Sequence, residues 1–315
     1  MEISEIQKRF QLLRKRLLSC VICPRNCKVN RLKGQRGFCQ ATSELEVAHI
    51  GLYYGEEPPI SGTKGSGTIF FAHCNLRCVY CQNWQISQPK KVNRQWETTP
   101  QKLAEEMIKL QKKEAHNINL VSSTQYTPQI LESLYHAIQM GLKIPIVYNT
   151  NGYDSVEILK LLDGIIDIYL PDCKYSDDSK ALKYSSALSY TETNQKAIKE
   201  MYRQVGNLEV DDRGIARKGL LVRHLVLPNK ISDSIKCLNF LKAISQNITI
   251  SLMAQYNPLY KAKKCLELNR SITQEEYKEI VEYSQKIGLT NVYIQEIESK
   301  NSLTPDFEKE KPFGN

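Results

Sequence analysis

Beyond about residue 66, short apolar runs alternate along the chain with amphipathic stretches. The runs GTIFFAH, INLVS, IPIVYNT, GIIDIYLPD, GLLVRHLVLP, ITISLMAQ and NVYIQEI have the near-continuous apolar character of strands buried on both faces. Between them PQILESLYHAIQ, DSVEILKLL, a long polar region reaching about residue 205, a segment near 232–245 and TQEEYKEIVEYSQKI read as helices. Repeated strand-helix units imply parallel pairing, right-handed crossovers and helices on the outside. The predicted fold class is therefore α/β, a partial (βα)6 TIM-like barrel that a seventh short strand extends. In such a barrel the chemistry gathers at the carboxyl ends of the strands.

The first 65 residues have a different texture. Ile3, Ile6, Phe10, Leu13 and Leu17 recur at steps of three and four, which predicts a helix docked on the main body. From 20 to 65 the chain is rich in cysteine, glycine and proline, with short apolar pieces such as LEVAHIGLYYG, and reads as a small loop-rich module. The division is 1–65 for the helix and cysteine-rich metal-binding module, 66–300 for the barrel and 301–315 for a tail. The charged end, EKEKPFGN, is predicted to be disordered.

No apolar run approaches the length of a bilayer span, and the N-terminus lacks the apolar centre of a secretory signal, so a cytoplasmic protein with no membrane partner is expected. Ten cysteines in a reducing compartment point to metal or redox chemistry rather than disulfides. The net charge of +9 allows an anionic partner, although solvated lysine-rich helix faces are the preferred account of it. No RNA-binding signature is interleaved with the basic residues, which argues against nucleic acid.

The sharpest signal follows the first barrel strand. In HCNLRCVYCQNW, Cys74, Cys78 and Cys81 are spaced C-x3-C-x2-C. Three thiolates on one loop hold three irons of a [4Fe-4S] cube, and no fourth cysteine follows at ferredoxin spacing. The open iron can then chelate the amino and carboxylate groups of a ligand. A structural zinc site fits poorly, because such sites are closed by four ligands.

This loop, at the end of a first strand, resembles that of the radical S-adenosylmethionine (SAM) superfamily. The string CNLRCVYCQNWQIS is similar to the group related to pyruvate formate-lyase activating enzyme, as are YNTNGY, YLPDCKY, VRHLVLP, LMAQYNP and TPDF. The resemblance implies a [4Fe-4S] cluster, SAM, and reductive cleavage of SAM to a 5′-deoxyadenosyl radical that abstracts hydrogen from a substrate. It also implies an electron donor such as flavodoxin or ferredoxin. The substrate would be a protein, as in glycyl-radical enzyme activation, or a small metabolite. A non-enzymatic iron-sulfur or zinc RNA-binding protein is the alternative from another class.

The strand ends supply candidates for the SAM site. The resemblance places Tyr80 near adenine, and Ser122, Ser123 and Thr124, with Gln125, near the SAM ammonium. Asn149 and Asn151 suit ribose hydroxyls, with Gly152 relaxing the backbone. Asp172 and Lys174 match a D-x-K pair in which the lysine meets the SAM carboxylate, and Arg223 is a further carboxylate contact. Alternation sends His224 to the other side of its strand, where a hydrogen-bonded core role is expected. Gln255 and Tyr256 are expected to face substrate, and Cys173, Cys237 and Cys265 to pack.

A second group, Cys20, Cys23, Cys27 and Cys39, lies in the N-terminal module. Four thiolates in one irregular segment suit a structural Zn²⁺ site or an auxiliary iron-sulfur cluster, and a module with so little core needs such a staple.

Overall fold

The computed structural model describes residues 2–91, 93–297, 304–309 and 311–314. Its strands are β1 (Leu45–Tyr53), β2 (Ser66–Phe71), β3 (Glu97–Thr98), β4 (Ile118–Val121), β5 (Ile146–Thr150), β6 (Ile168–Pro171), β7 (Glu209–Val210), β8 (Ala216–Leu225), β9 (Thr249–Met253) and β10 (Val292–Ile294). The helices are α1 (Ile3–Lys15), α2 (Pro58–Ser61), α3 (Trp84–Ser87), α4 (Pro100–Lys112), α5 (Thr127–Gln139), α6 (Val156–Lys160), α7 (Asp178–Ser185), α8 (Tyr190–Val205), α9 (Ser234–Ile244) and α10 (Gln274–Lys286). None of the described helices is long and apolar enough to cross a membrane.

β2, β4, β5, β6, β8, β9 and β10 are hydrogen-bonded neighbours in chain order, and every one of these pairings is parallel. This is the expected α/β partial barrel with its seventh strand. Every residue of β2, β4, β5, β6 and β9 is buried, which is why these runs are apolar without alternation. The stretch LEVAHIGLYYG, read as part of the N-terminal module, instead supplies β1, which pairs antiparallel with β2 and covers its edge. α1 packs on α5 through Ile6, Phe10 and Leu13, with the Phe10 and Tyr135 rings 5.6 Å apart.

Alternation sends half of each strand into the barrel lumen, where the filling is layered. At one level Ile60 of α2 meets Val147, Ile168, Leu170, Ala216 and Leu221 in a dry plug. In a second, ionic layer, Glu56 and Glu57 come from the connection after β1 and Arg223 from β8. Arg223 Nε and Nη2 donate to the two carboxylate oxygens of Glu57, both at 2.7 Å, and Nη2 also meets Glu56. Glu56 accepts from Asn119 Nδ2 at 2.9 Å. Burial pushes the Glu56 carboxyl up, against the pull of Arg223; at Glu57 burial acts the same way but Arg223 prevails and holds it down.

A third, apolar group contains Phe70, Ile86 and Val121. Here Phe307 and Phe313 rest on Phe70, with ring centroids 5.3 and 5.4 Å away, and the Phe307 amide donates to Gln85 Oε1 at 2.9 Å. The expectation of a disordered tail is corrected for the described residues by these two rings, which have a dry surface to bury. Residues 298–303, 310 and 315 lie outside the described residues.

Two predictions follow from the packing. Gly152 has φ +73, and a Cβ there would stand 2.2 Å from the Asp172 carbonyl and 2.1 Å from Asn194 Nδ2. Gly152→Ala is therefore expected to cost about 2 kcal/mol or more in a urea titration, and Asn194→Ala to recover only part, because the Asp172 backbone still blocks the methyl. Arg223→Met leaves two buried carboxylates unpaired, at about 3–5 kcal/mol. Without the arginine their folded pKa values stand above the unfolded value of about 4.3. The cost is absent below that value, grows as pH rises above it and levels off beyond the folded pKa. Denaturation from pH 4.5 to 8 checks this, and a pH-independent loss contradicts it.

Candidate active site

The chain leaves β2 through Ala72 and His73. His73 takes φ +67, and its Nε2 lies 3.1 and 3.2 Å from the buried Glu46 carboxylate. This turn aims residues 74–83 across the carboxyl ends of the strands, and backbone bonds fix the loop on both sides. His73 N donates to Ile86 O at 2.8 Å, Arg77 N to Ser185 O at 3.0 Å and Val79 N to Tyr184 O at 2.8 Å. The loop is thus clamped between α3 and the end of α7.

Each thiol of the loop has a polar neighbour. Cys74 Sγ accepts from Asn151 Nδ2 at 3.3 Å and from the Leu76 amide at 3.4 Å; Cys78 Sγ accepts from Ser185 Oγ at 3.0 Å; Cys81 Sγ and Ser87 Oγ are 3.2 Å apart. Burial, then the neighbouring Cys78, pushes the Cys81 thiol up to about 12; burial also raises Cys74 and Cys78, where Lys174 pulls Cys78 the other way. Buried sulfurs of this kind ionise readily only against a cation they can bind. The donor set, three soft ligands carrying N–H and O–H bonds, fits a [4Fe-4S] cluster.

Among the described residues the one group of three ligand atoms within 4.8 Å of one another is Cys173, His224 and Cys237. No three sulfurs of either cysteine-rich loop approach so closely. Sulfurs bound at about 2.3 Å to one zinc stand about 3.8 Å apart, so Cys74, Cys78 and Cys81 are not drawn together as a single zinc ion would draw all three. The Cys173 group is engaged within the protein. His224 Nδ1 faces Cys173 O at 2.6 Å and Nε2 faces Ser234 Oγ at 2.8 Å, while Cys237 pulls the Cys173 thiol down to about 6.

A cavity of about 410 Å³ opens beside the loop. Gln82 and Asn83, the residues directly after Cys81, line it, as do Asn149, Arg223 and Gln255 among the sequence-predicted residues. The rest are distributed otherwise. Lys174 Nζ bonds Asp172 Oδ2 at 2.6 Å. Burial opposes its charge, but Asp172 and Cys78 hold the ammonium above its ordinary pKa, which puts a firm cation next to Cys78.

The other candidates are largely engaged within the protein. Tyr80 is outside the cavity wall; its hydroxyl lies 2.5 Å from Tyr175, which continues to Ser185 at 2.8 Å, so the ring backs the cluster loop. Asn151 serves Cys74 and Asn75 rather than the cavity. Thr124 donates to Asp154 at 2.8 Å and Ser123 is fully buried, leaving Ser122, at φ +59, as the partly exposed member of that trio. Arg223 reaches the cavity with its guanidinium already committed to Glu56 and Glu57. Tyr256 is buried and donates to Leu268 O at 2.6 Å.

The missed residues are Gln82, Asn83, Glu56 and Glu57 at the cavity, and Ser87 and Ser185 at the sulfurs. Gln82 and Asn83 could have been found by their adjacency to Cys81. The others gave no signal, since their partners are brought together only by tertiary folding.

The radical SAM superfamily model matches residues 68–206. The chain is 32% identical over 280 residues to the uncharacterized protein MJ0674 of Methanocaldococcus jannaschii, covering 87% of this chain and 77% of that one. With MJ0808 of the same organism it shares 25% over 318 residues, covering 91% and 84%. Similar solved structures include SuiB of Streptococcus suis, with TM-score 0.47, 11% identity and coverage of 71% and 47%. The FeFe-hydrogenase maturase HydG from Carboxydothermus hydrogenoformans has TM-score 0.49, 11% identity and coverage of 70% and 50%. The chain spans about half the length of these two solved structures. With its clamped three-cysteine loop at the end of the first parallel strand, this chain belongs to the radical SAM superfamily.

Proposed function

We propose that Cys74, Cys78 and Cys81 hold a [4Fe-4S] cluster with one open iron, and that SAM binds against it at the mouth of the cavity for reductive cleavage. The observation that carries this reading is the clamped loop itself, whose three thiols each meet a polar neighbour and whose next two residues line the cavity. Cys74, Cys78 and Cys81 would hold the cluster, which would supply the single electron for reductive cleavage of SAM and so for hydrogen abstraction from the substrate.

The chain's own residues do the rest. Asn151, Ser185 and Ser87 direct N–H and O–H groups at the sulfurs, which offsets thiolate charge and raises the reduction potential. Lys174, held by Asp172, offers an ammonium to the SAM carboxylate. Asn149, Gln82 and Asn83 present amides to ribose and substrate, while Phe70, Val121 and Met253 keep the lumen dry.

For the substrate we infer activating-enzyme-like hydrogen abstraction from a protein, supported by the likeness of CNLRCVYCQNWQIS to that group. The amide-lined cavity favours a second reading, a small polar metabolite. A glycyl-radical EPR doublet on an added protein substrate supports the first reading, and turnover of a metabolite with no such doublet supports the second.

Two outcomes are expected of anaerobically reconstituted protein. With dithionite and SAM it releases 5′-deoxyadenosine, and Cys78→Ala abolishes release and removes about four irons per chain; release that persists contradicts the cluster assignment. Lys174→Met weakens SAM binding about 10- to 100-fold, the value of a charged hydrogen bond, with iron content unchanged. Calorimetric titration checks this, and an unaltered affinity removes Lys174 from the site.

A further inference from the structure

The N-terminal cysteines fold around a space of their own. Cys20 N donates to Val29 O at 2.9 Å and Lys28 N to Cys20 O at 3.0 Å, which draws Cys20 over the Cys23–Cys27 turn. Cys20, Cys23, Cys27 and Cys39, with Ile22 and Arg31, line a small void of about 10 Å³. No three of these sulfurs lie within 4.8 Å of one another, whereas zinc would draw them to about 3.8 Å. Gly37 keeps space beside the sulfurs: a Cβ there would stand 2.8 Å from Cys27 Sγ.

A second observation calls for negative charge at this place. Arg31 is 1% exposed and has no carboxylate partner among the described residues. Its guanidinium donates to Thr42 O and, at 2.8 Å, to Gln125 O, and it lies 4.0 Å from Cys20 Sγ. A buried cation without an anion is costly, and four metal-bound thiolates supply the missing charge.

The module also abuts the radical loop. Phe38, beside Cys39, is sandwiched between Arg25, 3.6 Å from its ring centre, and Arg77, 5.1 Å away. Arg25 Nε donates to Asn75 O at 2.9 Å, and Arg77 Nη1 to Cys74 O at 3.0 Å. Residues 6–43 contain ten Lys and Arg and no Asp or Glu, so this end holds the chain's whole positive excess, and Lys28, Lys33 and Arg36 are exposed around the module.

We propose that Cys20, Cys23, Cys27 and Cys39 hold a second [4Fe-4S] cluster, fully ligated by the protein, which passes single electrons from an acidic carrier protein to the cluster at Cys74, Cys78 and Cys81. With four cysteine ligands it has no open iron and binds no SAM. Each transfer oxidises the carrier by one electron and moves no proton. The relay role rests on the function proposed above; the metal assignment stands by itself.

The test uses the full chain, reconstituted without oxygen and analysed for iron, sulfide and zinc. About eight irons and eight sulfides per chain are expected, and about four of each in Cys27→Ala; one zinc with about four irons overturns the proposal. Should Cys27→Ala fail to fold, the dithionite-reduced wild type decides through its EPR spectrum. Magnetic coupling between two reduced clusters is expected, and a single uncoupled signal overturns the proposal. With reduced flavodoxin as donor, Cys27→Ala is expected to lose about 10-fold or more in SAM cleavage, and with dithionite less than about 2-fold; equal loss with both donors overturns the relay. Eight irons without 5′-deoxyadenosine would sink the proposed function and keep the second cluster, whereas 5′-deoxyadenosine with one zinc would do the reverse.

Discussion

Sulfur taken out of water governs this molecule. Seven cysteines lie on two neighbouring loops in surroundings so dry that burial raises the thiols of Cys23, Cys39, Cys74, Cys78 and Cys81. Neutral thiols are weak hydrogen-bond partners and poor ligands, while thiolates in such a place are unstable without a cation bound to them. The nearby Lys174, Arg25 and Arg31 reduce the mismatch without removing it. The fold therefore gathers two sets of thiols whose charge, on the assignments proposed above, is satisfied on metallation, and the barrel, the clamped loop and the arginine contacts set where those thiols stand.

How much of this was legible follows from which forces are local. Strands buried on both faces must be apolar, so the runs from GTIFFAH to NVYIQEI announced the parallel barrel, and three cysteines within eight residues marked the loop that follows β2. β1 was obscured because its partly buried alternation sits among glycines and cysteines, and its partner, β2, lies on the far side of a loop. Arg223 was assigned to the correct side of its strand, yet its partners Glu56 and Glu57 arrive from more than 160 residues earlier, and no periodicity carries that information. Asn151 and Thr124 were likewise read as ligand contacts from the strands they end, whereas the protein uses both within its own hydrogen-bond network.

The D-x-K segment shows how alternation divides labour over three residues. Asp172 and Lys174 share one side, bonded to each other beside Cys78, while Cys173 points oppositely into the packing with His224 and Cys237. A charged pair and a convergent thiol-imidazole group thus stand back to back across one strand end. The layering of the lumen follows the same rule: an apolar plug, an ionic layer and an amide-lined cavity each draw on alternate residues of several strands.

The cysteine module is held from both directions, by α1 seated on α5 upstream and by β1 hydrogen-bonded into the sheet downstream. It is a bracket bolted to the barrel rather than a bead on a tether. The gap between the two nests of sulfur is consequently a fixed dimension of the architecture. Since tunnelling falls steeply with distance, any traffic between the nests would proceed at a rate set when the chain folds, insensitive to the swings that govern exchange between loosely linked domains.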